Sequence, residues 1–113
     1  MKYILLMYNE ENAFSPDELP AAQADAVQTC HELHTQGKYV GASPLHPVAT
    51  AASVGVREGR PVVTDGPFAE TKEQLGGYVL IDVETLDEAI GIAARFPSAE
   101  KGTVEVRQLL EKA

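Results

Sequence analysis

Fourteen consecutive residues, Asp65-Gly-Pro-Phe-Ala-Glu-Thr-Lys-Glu-Gln-Leu-Gly-Gly-Tyr78, hold the densest potential for chemistry in this chain. The Gly66-Pro67 pair makes a sharp turn that can fix the direction of the Asp65 carboxylate, and Gly76-Gly77 allows another backbone to approach closely where a strand begins. Asp65, Lys72, Glu73 and Tyr78 together offer carboxylates, an ammonium and a phenol. Such a set suits general acid and base chemistry, or the binding of a small polar ligand, with Lys72 as the cation for an enolate or a carboxylate. A plainer reading exists. In it Asp65 caps the turn, Lys72 and Glu73 are solvated, and Phe68 plugs an edge of the core; spacing alone favours it, because Asp-Gly turns are common punctuation.

The three histidines stand apart from this stretch. His46 lies between Pro44 and Pro47, where rigid backbone on both sides holds an imidazole that could serve as base, with Asp65 as its orienter or partner acid. His34 falls at the edge of the apolar stripe of a helix and can touch a pocket, whereas His31 faces solvent. No metal site is expected: His31, His34 and Cys30 share one helix, but no second cluster of ligand residues accompanies them. No cofactor is expected either, since GxGxxG and GxxxxGK[ST] are both missing. Cys30 lies on the buried stripe and reads as an inert thiol, and Ser43, Ser53 and Ser98 have no nucleophile-elbow motif.

These groups need elements to hold them. Lys2–Asn9 (KYILLMYN) is apolar at both strand parities, so both faces of that strand want cover. Ser15, Pro16 and Glu18 form a helix-start signature; Leu19, Ala22, Ala26, Cys30 and Leu33 make its stripe, and Gly37 ends it. Lys38–Ser43 is predicted as a strand. A hairpin of Ala52–Arg57 and Pro61–Thr64 follows around Glu58-Gly59-Arg60, then a loop or short helix over 65–77. Tyr78–Val83 is apolar at both parities, Thr85 and Glu88 repeat the capping box of a helix ended by Pro97, and Thr103–Leu110 alternates as the last strand. The order is that of a split pair of βαβ units, the ferredoxin-like α+β arrangement βαββαβ with an inserted hairpin.

Composition narrows the class. The 113 residues form one domain, 44% hydrophobic and 23% charged, with nine Lys and Arg against seventeen Asp and Glu for a net charge of −8. That charge disfavours nucleic acid and anionic membranes as partners. A single cysteine, no signal-peptide layout and no long apolar run point to a cytoplasmic protein.

The string DGPFAETKEQLGGYVLIDVETLDEAI, with MKYILLMY at the start and LHPVATAASV in the middle, resembles the DGPF-motif branch of the YciI-related proteins across nearly the whole chain. The resemblance matches at Asp65, Gly66, Pro67, Phe68, Glu70, Thr71, Lys72, Glu73, Gly76 and Gly77, and His46 sits in the Leu-x-Pro segment of that branch. It implies a subunit that pairs sheet to sheet in a dimeric α+β barrel, a superfamily that includes isomerases, dehalogenating enzymes and monooxygenases. The YciI-like branch is associated with a His-Asp pair in a cleft. Its histidine, in a Pro-x-His-Leu context on the first helix, has no counterpart in CHELHTQG. The resemblance also implies an accessory role beside extracytoplasmic-function sigma factors.

Two classes of function therefore stand at the level of sequence. One is an enzyme of isomerase or lyase type that moves a proton on a small polar substrate with His46 and Asp65. The other is a non-catalytic module that binds a metabolite and reports it to a sigma-factor partner. Both expect a homodimer, because the two strands apolar at both parities expose a face the helices leave uncovered.

Overall fold

The computed structural model describes residues 1–111. β1 (Lys2–Asn9), α1 (Leu19–Thr35), β2 (Tyr39–Pro44), β3 (Ala52–Arg57), β4 (Arg60–Asp65), β5 (Gln74–Asp82), α2 (Leu86–Ala93), α3 (Ser98–Lys101) and β6 (Gly102–Gln108) follow one another along the chain. Four strands form an antiparallel sheet in the order β2-β5-β1-β6, and β3 with β4 make a separate two-stranded sheet. This is the ferredoxin-like α+β arrangement, with the hairpin inserted between β2 and β5.

Alternation along the two central strands decides the layers. Tyr3, Leu5 and Met7 of β1, with Val79 and Ile81 of β5, turn toward the helices and are buried, and Leu33, Ala89, Ile92 and Phe96 complete that core. Leu5, Leu33 and Ile81 are sealed from water, and each such side chain stabilises the fold by roughly 1.5–3 kcal/mol. Ile4, Leu6, Tyr8, Tyr78 and Leu80 occupy the other face and are only half-buried. Both parities were apolar in the sequence; one face has its cover within the chain.

The helix ends differ from the sequence reading in instructive ways. The Ser15 box forms, with the Glu18 N–H on Ser15 Oγ at 3.2 Å and the Ser15 N–H on Glu18 Oε1 at 3.0 Å, yet it closes a turn ahead of the helix. α1 begins at Leu19, because Pro20 has no N–H for the first helical bonds and must sit in the opening turn. Thr29, off the expected stripe, is buried, while Leu19 is largely exposed. In α2 the Thr85 hydroxyl accepts from the Glu88 N–H at 3.1 Å, as the capping box requires. Pro97 does not end that helix: α2 stops at Ala93, Phe96 turns into the core, and Pro97 opens α3. β6 stops at Gln108, opposite Tyr3 and two residues short of the predicted end; the Leu109 N–H makes one more bond, to the Lys2 carbonyl at 2.9 Å, where β1 itself begins.

Candidate functional site

His46 owes its position to three neighbours in sequence. β2 ends at Pro44, the Leu45 N–H donates to the Gly76 carbonyl at 2.9 Å, and Pro47 begins a single 3-10 turn over Val48–Thr50. The Thr50 hydroxyl closes that turn onto the Pro47 carbonyl at 2.8 Å. The imidazole is thus carried on backbone fixed at both sides. It lines a cleft of about 350 Å³ whose apolar walls are Leu45, Val48, Ala51, Pro67 and Leu75. Thr50 and Gln74 supply the other polar groups.

The Gly66-Pro67 corner forms as the sequence suggested. Gly66 takes φ +98°, a conformation open to glycine, and its N–H donates to the Ala51 carbonyl at 2.7 Å while its own carbonyl accepts from Ser53 Oγ at 2.8 Å. These bonds tie the His46 loop to the end of β4, and Pro67 becomes part of the cleft wall. Asp65, the last residue of β4, pairs with Ala52 and is exposed. Among the described residues neither Asp65 nor His46 makes a side-chain hydrogen bond, so the expected direct contact between them is not formed in this chain.

The other candidates spread over three places. Residues 66–73 form a loop and no helical turn: the Thr71 hydroxyl donates to the Glu73 carbonyl at 2.6 Å, and Gln74 Nε2 to the Thr71 carbonyl at 2.7 Å. Lys72 stands 86% exposed on this loop and pairs with Glu10 at 3.4 Å; Glu73 is half-buried. Tyr78 lies on the open face of the sheet, opposite Leu6 and Ser43, away from the corner. His34 meets the Tyr39 ring edge to face at 6.2 Å, at the start of β2, whereas the His46 loop leaves its far end. Phe68 plugs no core edge, being 94% exposed. Burial pushes the Cys30 thiol up from its ordinary value, in keeping with an inert thiol packed against the core.

Sequence reasoning missed Glu10 and Glu11. Glu11 Oε1 accepts from the Val48 N–H at 3.4 Å and Glu10 holds Lys72, so the loop after β1 borders the same corner. Strand register was the signal that could have found them: Asn9 pairs with Gln74, which brings residues 10 and 11 beside the start of β5.

A ferredoxin-like α+β subunit with an uncovered apolar sheet face, and a small cleft where β2 hands over to an inserted hairpin, defines the class. The sequence matches the YCII-related domain over residues 1–112, and the chain belongs to that family. An uncharacterized protein of Rhizobium meliloti (strain 1021) is 39% identical over 114 residues, covering 96% of this chain and 92% of the relative. The fold is similar to that of 5-chloro-2-hydroxyhydroquinone dehydrochlorinase from Burkholderia phenoliruptrix AC1100, solved with 2,5-dihydroxybenzoquinone, at a TM-score of 0.52 and 12% identity over 99% of this chain and 96% of that one. No helix among the described residues is long and apolar enough to cross a membrane.

Proposed function

We propose that this protein is a proton-transfer enzyme of isomerase or lyase type, acting on a small polar organic molecule in the cleft beside His46. One observation carries the reading: His46, on backbone fixed at both sides, presents its imidazole in the wall of a cleft of about 350 Å³, of the size that takes a small organic molecule. In the proposed step the imidazole takes a proton from a carbon beside a carbonyl, and the C–H electron pair moves to the carbonyl oxygen as an enolate. Return of the proton to a neighbouring carbon gives an isomer; departure of a β-substituent with its bonding pair gives an elimination. Lys72, held to Glu10 only by a solvent-exposed pair, is free to exchange that carboxylate for the enolate or for an acidic group of the substrate. Asp65 is the partner acid across the corner, engaging once substrate is bound, with Glu73 as a further contact. Sheet-to-sheet pairing of two copies covers Ile4, Leu6, Leu80 and Tyr78 and brings Tyr78 into an enclosed space between the sheets.

The exposed, unbonded state of Asp65 and His46 supports a second reading. A module that binds a metabolite, without turnover, and reports it to an extracytoplasmic-function sigma factor needs no assembled dyad. Proton NMR in heavy water, with a panel of small keto acids and hydroxylated rings, separates the two. Solvent deuterium entering an activated C–H position, lost in His46→Gln while the melting temperature stays put, is the enzyme result. Saturable shifts of ligand signals without deuterium entry select the binding module.

A further inference from the structure

We infer that the β3–β4 arm closes on a second copy of this chain, covering its valine face there, while Arg57 and Arg60, on the other face at the tip, reach round the end of the hairpin to acidic groups of that copy. The inference rests on the sheet-to-sheet pairing proposed above and adds a second contact to it.

Register makes the arm one-sided. Val54 stands opposite Val63 and Val56 opposite Pro61, so these four side chains share one face, with Ala52 and Asp65 at its base, while Ser53, Thr64, Gly55, Val62 and, at the tip, Arg57 and Arg60 take the other. Val54, Val56 and Val63 are 65%, 62% and 62% exposed, because β3 and β4 pack chiefly on each other. A lone two-stranded hairpin is marginal in water, and a valine face this open gives it no core.

Charge indicates what covers it. Lys38, Lys72, Arg95, Lys101 and Arg107 each have a carboxylate partner within the chain. Lys2, Arg57 and Arg60 have none among the described residues, and the two arginines also face each other directly across the strands at the tip. Like charges so placed repel, and an anionic partner relieves them. The chain carries −8 overall, and the arm, residues 52–65, is neutral with Arg57 and Arg60 against Glu58 and Asp65, so the rest of the chain carries the whole acidic excess. A second copy brings that surface with it, whereas nucleic acid or an anionic membrane would be repelled by the body.

Area and reach agree. The chain exposes 7923 Å², against about 6,000 Å² for a folded monomer of 12.1 kDa, an excess of about 1,900 Å². A standard interface takes about 800 Å² from each partner, so the sheet face alone need not account for the excess. The arm springs from the end of β2, the edge strand, and its six-residue strands extend roughly 20 Å, enough to reach a copy seated on the open sheet face. Its base is the Asp65-Gly66 corner, so docking the arm also immobilises Asp65 beside the cleft.

The test uses the intact protein. Because the chain has no tryptophan, Val63→Trp supplies a single indole on the arm. Its emission should move to the blue as concentration rises, in step with dimer formation followed by light scattering. Val54→Asp with Val63→Asp, and separately Arg57→Glu with Arg60→Glu, should raise the dimer dissociation constant at least about tenfold, as loss of a buried anchor does, while the far-UV spectrum and the melt of the core persist. Amide exchange on the unaltered protein, slowed over 53–57 and 60–64 only when dimeric, checks that the indole does not create the contact. A dimer that forms with the arm variants unweakened, the indole still in water and those amides unprotected overturns the arm contact and leaves the sheet pairing standing. An indole already blue-shifted in the monomer also overturns it. A parent that stays monomeric at every concentration, with Leu6→Glu indistinguishable from it, overturns the sheet pairing and the arm contact together.

Discussion

Gly77→Ala tests how the sheet holds the cleft. Gly77 is buried where β5 passes the end of β2, and a Cβ there would come 3.1 Å from the Ser43 carbonyl oxygen and 3.3 Å from Pro44 Cα, both backbone atoms. Ordinary contact begins near 3.4 Å, so the end of β2 must move by a few tenths of an ångström. Overpacking of this kind costs roughly 1–3 kcal/mol, and replacing glycine where alanine can adopt the backbone returns about 0.4–1 kcal/mol through the unfolded chain. The net loss is about 1–2 kcal/mol, or about 4–8 °C in melting temperature for a domain near 110 residues. Because Pro44 leads directly into Leu45-His46, the same shift should change the His46 ring resonances in a proton–nitrogen spectrum. Gly76→Ala is the internal control: its Cβ would meet nothing closer than the Met7 carbonyl oxygen at 4.0 Å, and it should melt within about 2 °C of the parent. Gly77→Ala melting with or above the parent, with the His46 signals unmoved, would refute the argument that β5 sets the His46 loop through this contact.

Three further outcomes follow from local geometry. Thr85→Ala removes the hydroxyl that accepts from Glu88 and should cost about 1 kcal/mol, read as a fall of about 4 °C in a thermal melt. The Lys101 ammonium, and after it the Ser15 N–H, hold the Glu18 carboxyl at about 2 against an ordinary 4.5. A lowered folded-state value gives a contribution fully present above about pH 4.5 and lost as pH falls toward about 2, so the urea-midpoint gap between parent and Glu18→Gln should narrow steadily across that window. Lys72→Ala breaks an exposed pair and should alter stability by less than about 0.5 kcal/mol while weakening calorimetric binding of small carboxylic acids; unchanged binding would remove Lys72 from the proposed site.

Local chemistry was legible in the sequence wherever it was decided locally. Both capping boxes, the two-sided strands Tyr3–Tyr8 and Tyr78–Val83, the hairpin and the Gly66-Pro67 corner could be read because each is settled within a few residues. What could not be read depended on pairing across the chain. Lys72 was legible as a cation, but its Glu10 partner follows from the register of β1 on β5. His34 was legible as a stripe-edge residue, since helical angle says which side a residue takes; it says nothing of which end of β2 it meets, and His34 meets the end remote from His46. Phe68 was expected to be buried from its type, yet the turn that Gly66 permits sends the loop outward.

The position of β1 in the sheet has a consequence for synthesis. Lys2–Asn9 leaves the ribosome well before both of its hydrogen-bonding neighbours, Gln74–Asp82 and Gly102–Gln108. At roughly 5–20 residues per second, the stretch from Asn9 to Gln74 takes about 3–13 s to emerge. For that interval an eight-residue segment, apolar on both sides, has no native strand to pair with, and the identical segment of a nascent neighbour is its readiest match. Dense polysomes should therefore lose more of this protein to aggregates than sparse ones, and a holdase that shields Lys2–Asn9 should recover it.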